Sequence, residues 1–369
     1  MPAAKQVIVK PLRILAGSEA YRHVRTNGLS PEDISAVFGA SGAAKWLAIV
    51  GLDQSIFSDW LPRSSQSIDL YGTSVGAFKL AAAAQQNAGA VLTQLADAYI
   101  AQDYVDKDIA TQVVIETERV INSFLGDSAI DEILNNSRFN YHCGTTLCRG
   151  WLGSSNPTKQ KLAMVNSLCR SLLGRGFHHS LFDRCVFHSG ETTAAYSGND
   201  GFRTHRIPLS RENIFFAVQA SGSIPVLMPS VGDIPGAPPG THCDGGVLDY
   251  HPVPSNLSQS DHQSGKGFVL YPHFYSYLKE GWFDKFWPWR KAVASQLSRT
   301  IILAPSDKFV ASLPGGQIPN RQDFRRFEKN DQERIRRWKR AVERSIELGE
   351  AFLQLAESGE VAAHVELMD

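Results

Sequence analysis

A repeated order of short apolar run, glycine-rich turn and helix-forming segment is the strongest constraint on the fold of this chain. Three short runs have the composition of strands: Val7–Leu15, Ile34–Phe38 and Ser67–Tyr71. Ser18–Thr26 and Ala43–Leu52, which lie between them, have the composition of helices. This alternation is typical of βαβ units, so it predicts an α/β fold around a mainly parallel sheet.

The same patterns continue along most of the chain. They predict two further helices at 90–102 and 106–122. Short apolar runs predict five further strands, at Asn140–Leu147, Arg184–His188, Phe202–Pro208, Gly267–Tyr271 and Thr300–Ala304.

The last 45 or so residues differ in character from the rest. Between Arg321 and Arg344 the sequence has ten Lys or Arg and five Asp or Glu, and apolar residues recur there at three- and four-residue steps. This pattern predicts an amphipathic helix with a basic face. We therefore expect a domain over residues 5–312 and a C-terminal helical extension over 313–369.

Charge and composition limit the function classes. The 37 basic and 37 acidic side chains give a pI near 7.2, which provides no general attraction to nucleic acid. The five cysteines lack paired spacing for zinc, and the sequence has no phosphate-binding glycine-rich motif with lysine, so we expect neither a metal nor an organic cofactor. The N-terminal run is broken by Lys10, Pro11 and Arg13, which is unlike a signal peptide, so we expect a cytoplasmic protein.

The sequence Gly72-Thr73-Ser74-Val75-Gly76 has the pattern G-x-S-x-G. Its glycines permit a tight turn between a strand and a helix, which exposes the serine hydroxyl. The preceding residues predict a strand and the following AFKLAAAA predicts a helix. Ser74 would then lie at a helix N-terminus, where free amides and the helix dipole favour developing negative charge.

Two other glycine-containing turns could serve such a serine. Gly39–Lys45 joins a predicted strand to a predicted helix, and its small residues would let backbone N–H groups approach a substrate oxygen. Asp244-Gly245-Gly246 is a common turn sequence, but it also offers a carboxylate that could act as a base.

Together these motifs resemble the patatin-like phospholipase family. The resemblance rests on SGAAK at 41–45, GTSVG at 72–76, ASGSIP at 220–225 and DGG at 244–246, and it spans residues 35–253. It implies a three-layer α/β/α sandwich and a Ser–Asp dyad that cleaves acyl esters of lipids.

The resemblance also implies a role for particular residues. Ser74 would be the nucleophile and Asp244 the base, while the amides of Gly42 and Ala43 would form the oxyanion hole. Substrate-binding positions would be Ser41, Lys45 and Trp46. Trp46 stands where the family commonly has glycine, so its indole could narrow the acyl pocket or pack beneath the helix.

The sequence also allows other functions. A Ser-His-Asp hydrolase could use His251, His262, His273 or His364, and an acyltransferase could use His178, His179 or His188 as its base. A third alternative is a non-catalytic module that binds lipid on the same scaffold.

The segment 271–289, YPHFYSYLKEGWFDKFWPW, is dense in aromatic residues interleaved with lysine. If it is exposed, it would suit peripheral contact with a membrane or contact between subunits of a homo-oligomer. The partner expected from the motifs themselves is a lipid or small ester substrate.

Overall fold

The computed structural model of the chain describes residues 11–104, 109–154, 156–190, 200–254 and 267–368. These residues form a mixed α/β fold with a mostly parallel central sheet, as the sequence predicts. The strands are β1 Leu12–Ala16, β2 Ile34–Gly39, β3 Ile68–Thr73, β4 Phe139–Cys148, β5 Phe182–His188, β6 Thr204–Pro208, β7 Val231–Gly232, β8 Thr241–Asp244, β9 Phe268–Pro272, β10 Thr300–Pro305 and β11 Val365–Leu367.

The α-helices of the described residues vary widely in length, and α11 is the longest of them. They are α1 Ser18–Asn27, α2 Val50–Gln54, α3 Val75–Ala83, α4 Ala88–Ile100, α5 Ile109–Asn122, α6 Asp127–Leu134, α7 Pro157–Leu173, α8 Ile214–Gly222, α9 Asp307–Ser312, α10 Gln322–Arg326, α11 Asp331–Glu357 and α12 Val361–His364. Within the described residues no helix combines the length and the apolar character that crossing a membrane requires.

The sheet runs in the order β11-β1-β10-β9-β2-β3-β4-β5-β6, and β8 pairs with β4 and β7. From β10 to β4 every neighbouring pair is parallel. All residues of β3, β9 and β10 are buried, which explains why these strands read as continuous apolar runs rather than as alternating ones.

The first strand does not take the place that the simple βαβ alternation predicts. β1 lies antiparallel to β10 and away from β2, and residues 7–10 of the predicted strand fall outside the described residues. The predicted helix at 43–52 is also modified, because a 3₁₀ segment at Ala43–Ile49 precedes α2 and a π-helical segment at Ser55–Trp60 follows it.

The C-terminal region is part of the same apolar core as the sheet. Trp338, Leu348 and Phe352 of α11 are buried in the cluster that also contains the central strands. β11 extends the sheet by pairing in parallel with β1. Residues on both sides of the predicted boundary at 312 therefore share one core.

The register of the central strands brings the three glycine-containing motifs together. Gly39 of β2 pairs with Gly72 of β3, so the turns that follow these strands lie side by side. Thr73 pairs with Gly144 of β4, and the next residue of β4 pairs with Asp244 at the end of β8. The residue after Thr73 is consequently next to Asp244, although the two are 170 positions apart.

Candidate active site

Ser74 occupies a sharp turn between β3 and α3. Its backbone has φ 55° and ψ −133°, a left-handed conformation that non-glycine residues rarely adopt. Its amide donates to Ser221 Oγ at 2.9 Å, and Ser221 Oγ in turn donates to the carbonyl of Gly144 at 2.7 Å. These bonds hold the strained turn against β4 and α8.

The turn requires a close approach between α3 and β2. A Cβ atom on Gly76 would lie 2.2 Å from the carbonyl oxygen of Gly39, which is far inside van der Waals contact. The second glycine of G-x-S-x-G is therefore fixed by packing, because any side chain there would push α3 away from the sheet.

Ser74 and Asp244 are in direct contact. Ser74 Oγ donates to Asp244 Oδ2 at 2.8 Å, and the amide of Gly246 donates to Asp244 Oδ1 at 2.7 Å. The amide of Asp244 donates to the carbonyl of Ser223 at 2.8 Å, which joins the DGG turn to the ASGSIP motif. One oxygen of the carboxylate thus faces the serine while the other is fixed by its own turn.

Burial changes the acidity of Asp244. The residue is 7% exposed, and loss of solvation raises its pKa from 3.8 to about 6. The hydrogen bonds from Gly246 and Ser74 stabilise the ionised form and act in the opposite direction. The carboxylate is therefore a stronger base than an ordinary aspartate, yet it is still mostly ionised near pH 7.

The turn after β2 supplies free backbone donors beside the dyad. Among the described residues, no carbonyl accepts a hydrogen bond from the amides of Gly42 or Ala43. Ala43 has φ 52°, so its backbone is held in the left-handed region. A Cβ on Gly42 would lie 2.5 Å from the Phe274 ring, so this position is also restricted by packing.

Ser41 connects this turn by hydrogen bonds to Tyr250 and to Thr73. Its amide donates to the carbonyl of Tyr250 at 2.8 Å, and its Oγ lies 2.9 Å from Thr73 Oγ1. Thr73 Oγ1 donates to the carbonyl of Asp249 at 2.7 Å, and the Asp249 carboxylate accepts hydrogen bonds from Arg184 Nε and Nη2 at 2.7 and 2.8 Å. A buried polar network therefore connects both glycine-containing turns.

Ser74, Asp244 and the turn after β2 line one cavity of about 630 Å³. Lys45 lies in its wall, where its Nζ donates to Tyr250 Oη at 3.0 Å. The lining combines residues of the glycine-containing turns with apolar, aromatic, amide and cationic side chains. Its residues are Ser41, Gly42, Ala43, Lys45, Ser74, Met164, Ile224, Pro225, Asp244, Val247, Tyr250, Tyr275, Trp282, Lys285, Val310, Gly316, Gln317, Ile318, Asn320, Arg321 and Gln322.

Trp46 lies beneath the turn and outside this cavity lining. It is 1% exposed, and its Nε1 donates to Asp53 Oδ2 at 2.8 Å. Asp53 forms a buried ion pair with Lys79 of α3 at 2.9 Å. Of the two roles that the sequence allows for Trp46, this placement supports packing beneath the helix rather than narrowing of the acyl pocket.

The histidines considered as alternative bases have other surroundings. The described part of the cavity lining contains no histidine. Six of these histidines lie outside the cavity lining, and the ring of each is within hydrogen-bond distance of a backbone group: His178, His179, His188, His251, His273 and His364. His262 lies outside the described residues. No group of His, Cys, Asp or Glu among the described residues is arranged to hold a metal ion.

Sequence reasoning did not identify the contribution of the C-terminal region to the cavity. Gln317, Asn320, Arg321 and Gln322 line it although they follow the predicted domain boundary. No spacing in the sequence indicates this contact, because it depends on the path of the chain between α9 and α10.

Comparison of the chain with protein-family models, with curated proteins and with solved structures finds no match.

Proposed function

We propose that this protein is a serine acyl hydrolase that cleaves carboxylic esters of lipids through an acyl-Ser74 intermediate. The observation that carries the proposal is the 2.8 Å hydrogen bond from Ser74 Oγ to Asp244 Oδ2 in the lining of a cavity large enough for an ester. In this proposal the mixed α/β fold is a three-layer α/β/α sandwich of the patatin-like type.

The first half of the reaction forms the acyl-enzyme. Asp244 accepts the proton of the Ser74 hydroxyl as its oxygen attacks the ester carbonyl, because a serine hydroxyl is a weak nucleophile without a neighbouring base. The free amides of Gly42 and Ala43 stabilise the negative charge on the tetrahedral intermediate. Asp244 then donates the proton to the departing alcohol.

The second half releases the acid. A water molecule takes the place of the alcohol and attacks the acyl carbon while Asp244 removes one of its protons. Asp244 then returns this proton to Ser74 Oγ as the bond between that oxygen and the acyl carbon breaks, which releases the acid and restores the serine. The raised pKa of Asp244 supports this role, since a base is most effective when its pKa lies near the working pH.

The proposal does not depend on a histidine. A Ser-His-Asp hydrolase would place an imidazole against Ser74 Oγ, whereas in this structure that oxygen donates to a carboxylate. A purely lipid-binding module would have no need for a strained serine in contact with a base.

A panel of esters with graded acyl length tests the proposal. We expect the wild type to hydrolyse some members of the panel, and we expect Ser74→Ala to lower kcat on them by about 10³-fold or more. Ser58→Ala, which changes an exposed serine, should retain wild-type activity. Hydrolysis that is equal in the wild type and in Ser74→Ala, or absent from the wild type, would contradict the proposal.

A further inference from the structure

Three cationic side chains line the cavity that contains the dyad. Lys45 follows β2, Lys285 lies in the 3₁₀ segment Trp282–Phe286, and Arg321 immediately precedes α10. Two of the three, Lys285 and Arg321, lie outside the residues 35–253 that carry the family resemblance.

Among the described residues, no acidic side chain lies in ion-pair contact with these cations, although the charge of Asp244 acts on Lys285 and raises its pKa. Lys45 Nζ donates to Tyr250 Oη and lies 5.5 and 5.6 Å from the ring centroids of Phe274 and Tyr275. Lys285 Nζ lies 4.0 Å from the Trp282 ring and 5.0 Å from the Tyr250 ring. Aromatic faces attract a cation but leave its charge unneutralised.

The cations also repel one another. Burial lowers the pKa of Lys285 to about 7, and the charges of Lys45 and Arg321 lower it further in the same direction. Burial is also the main cause of the lowered pKa of Lys45, to which Arg321 contributes. Within the described lining Asp244 is the one carboxylate, so positive charge exceeds negative charge there.

The remaining lining separates into two chemical kinds. Amide side chains of Gln317, Asn320 and Gln322 lie near Arg321 in sequence and could donate further hydrogen bonds to oxygen atoms. Apolar lining comes from Met164, Ile224, Pro225, Val247, Val310 and Ile318. A ligand that matches this cavity would therefore have an acyl chain and a negatively charged, oxygen-rich group.

We propose that Lys45, Lys285 and Arg321 form a subsite for an anionic group, phosphate or carboxylate, on the ester that Ser74 cleaves. The inference rests on the proposed function, which it narrows to esters carrying such a group. An arginine guanidinium suits this task because its N–H groups match the oxygens of a phosphate or a carboxylate in pairs.

Binding to the Ser74→Ala protein tests the subsite without turnover. The probes are 1-decanoyl-glycerol 3-phosphate, the hemisuccinate of 1-decanoyl-glycerol, and neutral 1-decanoyl-glycerol, each titrated by calorimetry below its micelle-forming concentration. We expect at least one anionic probe to bind about tenfold or more tightly than the neutral one, as charged hydrogen bonds imply. The comparison of the two anionic probes shows whether the subsite prefers phosphate or carboxylate.

Variants identify the residues responsible. Adding Lys285→Gln and Arg321→Gln to Ser74→Ala should remove most of the preference for the anionic probe. Lys339→Gln removes the same kind of charge from the exposed face of α11 and should preserve the preference. Equal affinity for neutral and anionic probes, or a preference that persists in the Lys285/Arg321 variant, would overturn the inference.

The outcomes separate this inference from the proposed function. Ser74-dependent hydrolysis of neutral esters without anion preference rejects the subsite and retains the hydrolase. Anion preference in binding, with no Ser74-dependent hydrolysis of any ester, rejects the hydrolase and shows that the cations bind anions.

Discussion

Asp244 is the residue whose protonation state controls the proposed chemistry. Its carboxylate has to be ionised to accept the serine proton, and burial raises its pKa to about 6. Activity through this base is therefore present above pH 6 and declines as the pH falls through that value.

The pH profile of kcat/KM tests this assignment. With a neutral ester, whose binding does not depend on the charge of Lys285, we expect a rise with a midpoint near pH 6 and a plateau above it, because kcat/KM reports the ionisation of the free enzyme. Unfolding at low pH would also lower kcat/KM. The unfolding transition is therefore measured at each pH, and only values at which the protein is folded are used in the profile.

Substitution of the base provides a second test at the same residue. Asp244→Asn keeps the shape of the side chain but cannot accept the proton, so we expect kcat to fall by about 10²- to 10⁴-fold. Asp59→Asn changes an exposed aspartate and should have no effect. Retention of wild-type kcat in Asp244→Asn would show that another group is the base.

At the scale of elements, the ion pair between Asp53 and Lys79 joins α2 to α3 beneath the site. Asp53 is fully buried and Lys79 is 2% exposed, and Trp46 Nε1 donates to the same carboxylate. Burial raises the pKa of Asp53, while the charge of Lys79 lowers it. The pair fixes the helix that begins after Ser74 relative to the turn that contains Gly42.

Removal of one partner should be costly. Lys79→Met leaves the Asp53 carboxylate buried without its counter-ion, so we expect the free energy of unfolding to fall by about 3–5 kcal/mol. The double variant Asp53→Asn/Lys79→Met removes both charges, keeps an oxygen acceptor for Trp46 Nε1 and should recover most of that loss. Urea denaturation, monitored by tryptophan fluorescence, measures the free energy of unfolding of each variant. A decrease of less than about 1 kcal/mol in Lys79→Met would contradict this account.

Many individual elements could be predicted from the sequence, because buried strands leave short apolar runs in it and amphipathic helices leave a helical period. The strand predicted at 140–147 is observed at Phe139–Cys148, and the one predicted at 300–304 is observed at Thr300–Pro305. The pairing of β1 with β10 could not be predicted, since an apolar run shows that a strand is buried but does not identify its neighbour.

The residues of the candidate site could also be predicted only in part. The motifs indicate Ser74, Asp244 and the turn at Gly42, because tight turns need particular residues at fixed spacing. Lys285 and Arg321 reach the cavity from segments whose composition indicates only an aromatic-rich run and a basic helix. Their placement depends on tertiary packing, which no local pattern records.

At the scale of the whole molecule, one face of the C-terminal helix α11 packs closely against the segment that contains Gly51 and Ser55. A Cβ on Gly349 of α11 would lie 2.2 Å from Ser55 Oγ and 2.5 Å from the Gly51 carbonyl. The amide of Gly51 also donates to Ser345 Oγ at 2.8 Å. We therefore expect α11 to unfold together with α2 and the apolar core that both helices share.

Gly349→Ala tests this coupling. Alanine would favour the helix by about 1 kcal/mol through propensity alone, but the clash with backbone should outweigh that gain. We expect the free energy of unfolding to fall by about 1–3 kcal/mol, with one cooperative transition in the wild type. Gly126→Ala is the matched control, since a Cβ there meets nothing within 4 Å. A separate early transition for α11, or stabilisation by Gly349→Ala, would contradict the prediction.

The activation of Ser74 by Asp244 is tested most directly by covalent labelling with a fluorophosphonate, followed by peptide mass spectrometry. The reagent reacts with an activated serine, so we predict one phosphonyl group on Ser74 of the wild-type protein, slower labelling in Asp244→Asn and none in Ser74→Ala. A folded wild-type protein that stays unmodified, or one that is labelled at a different residue, would contradict the account.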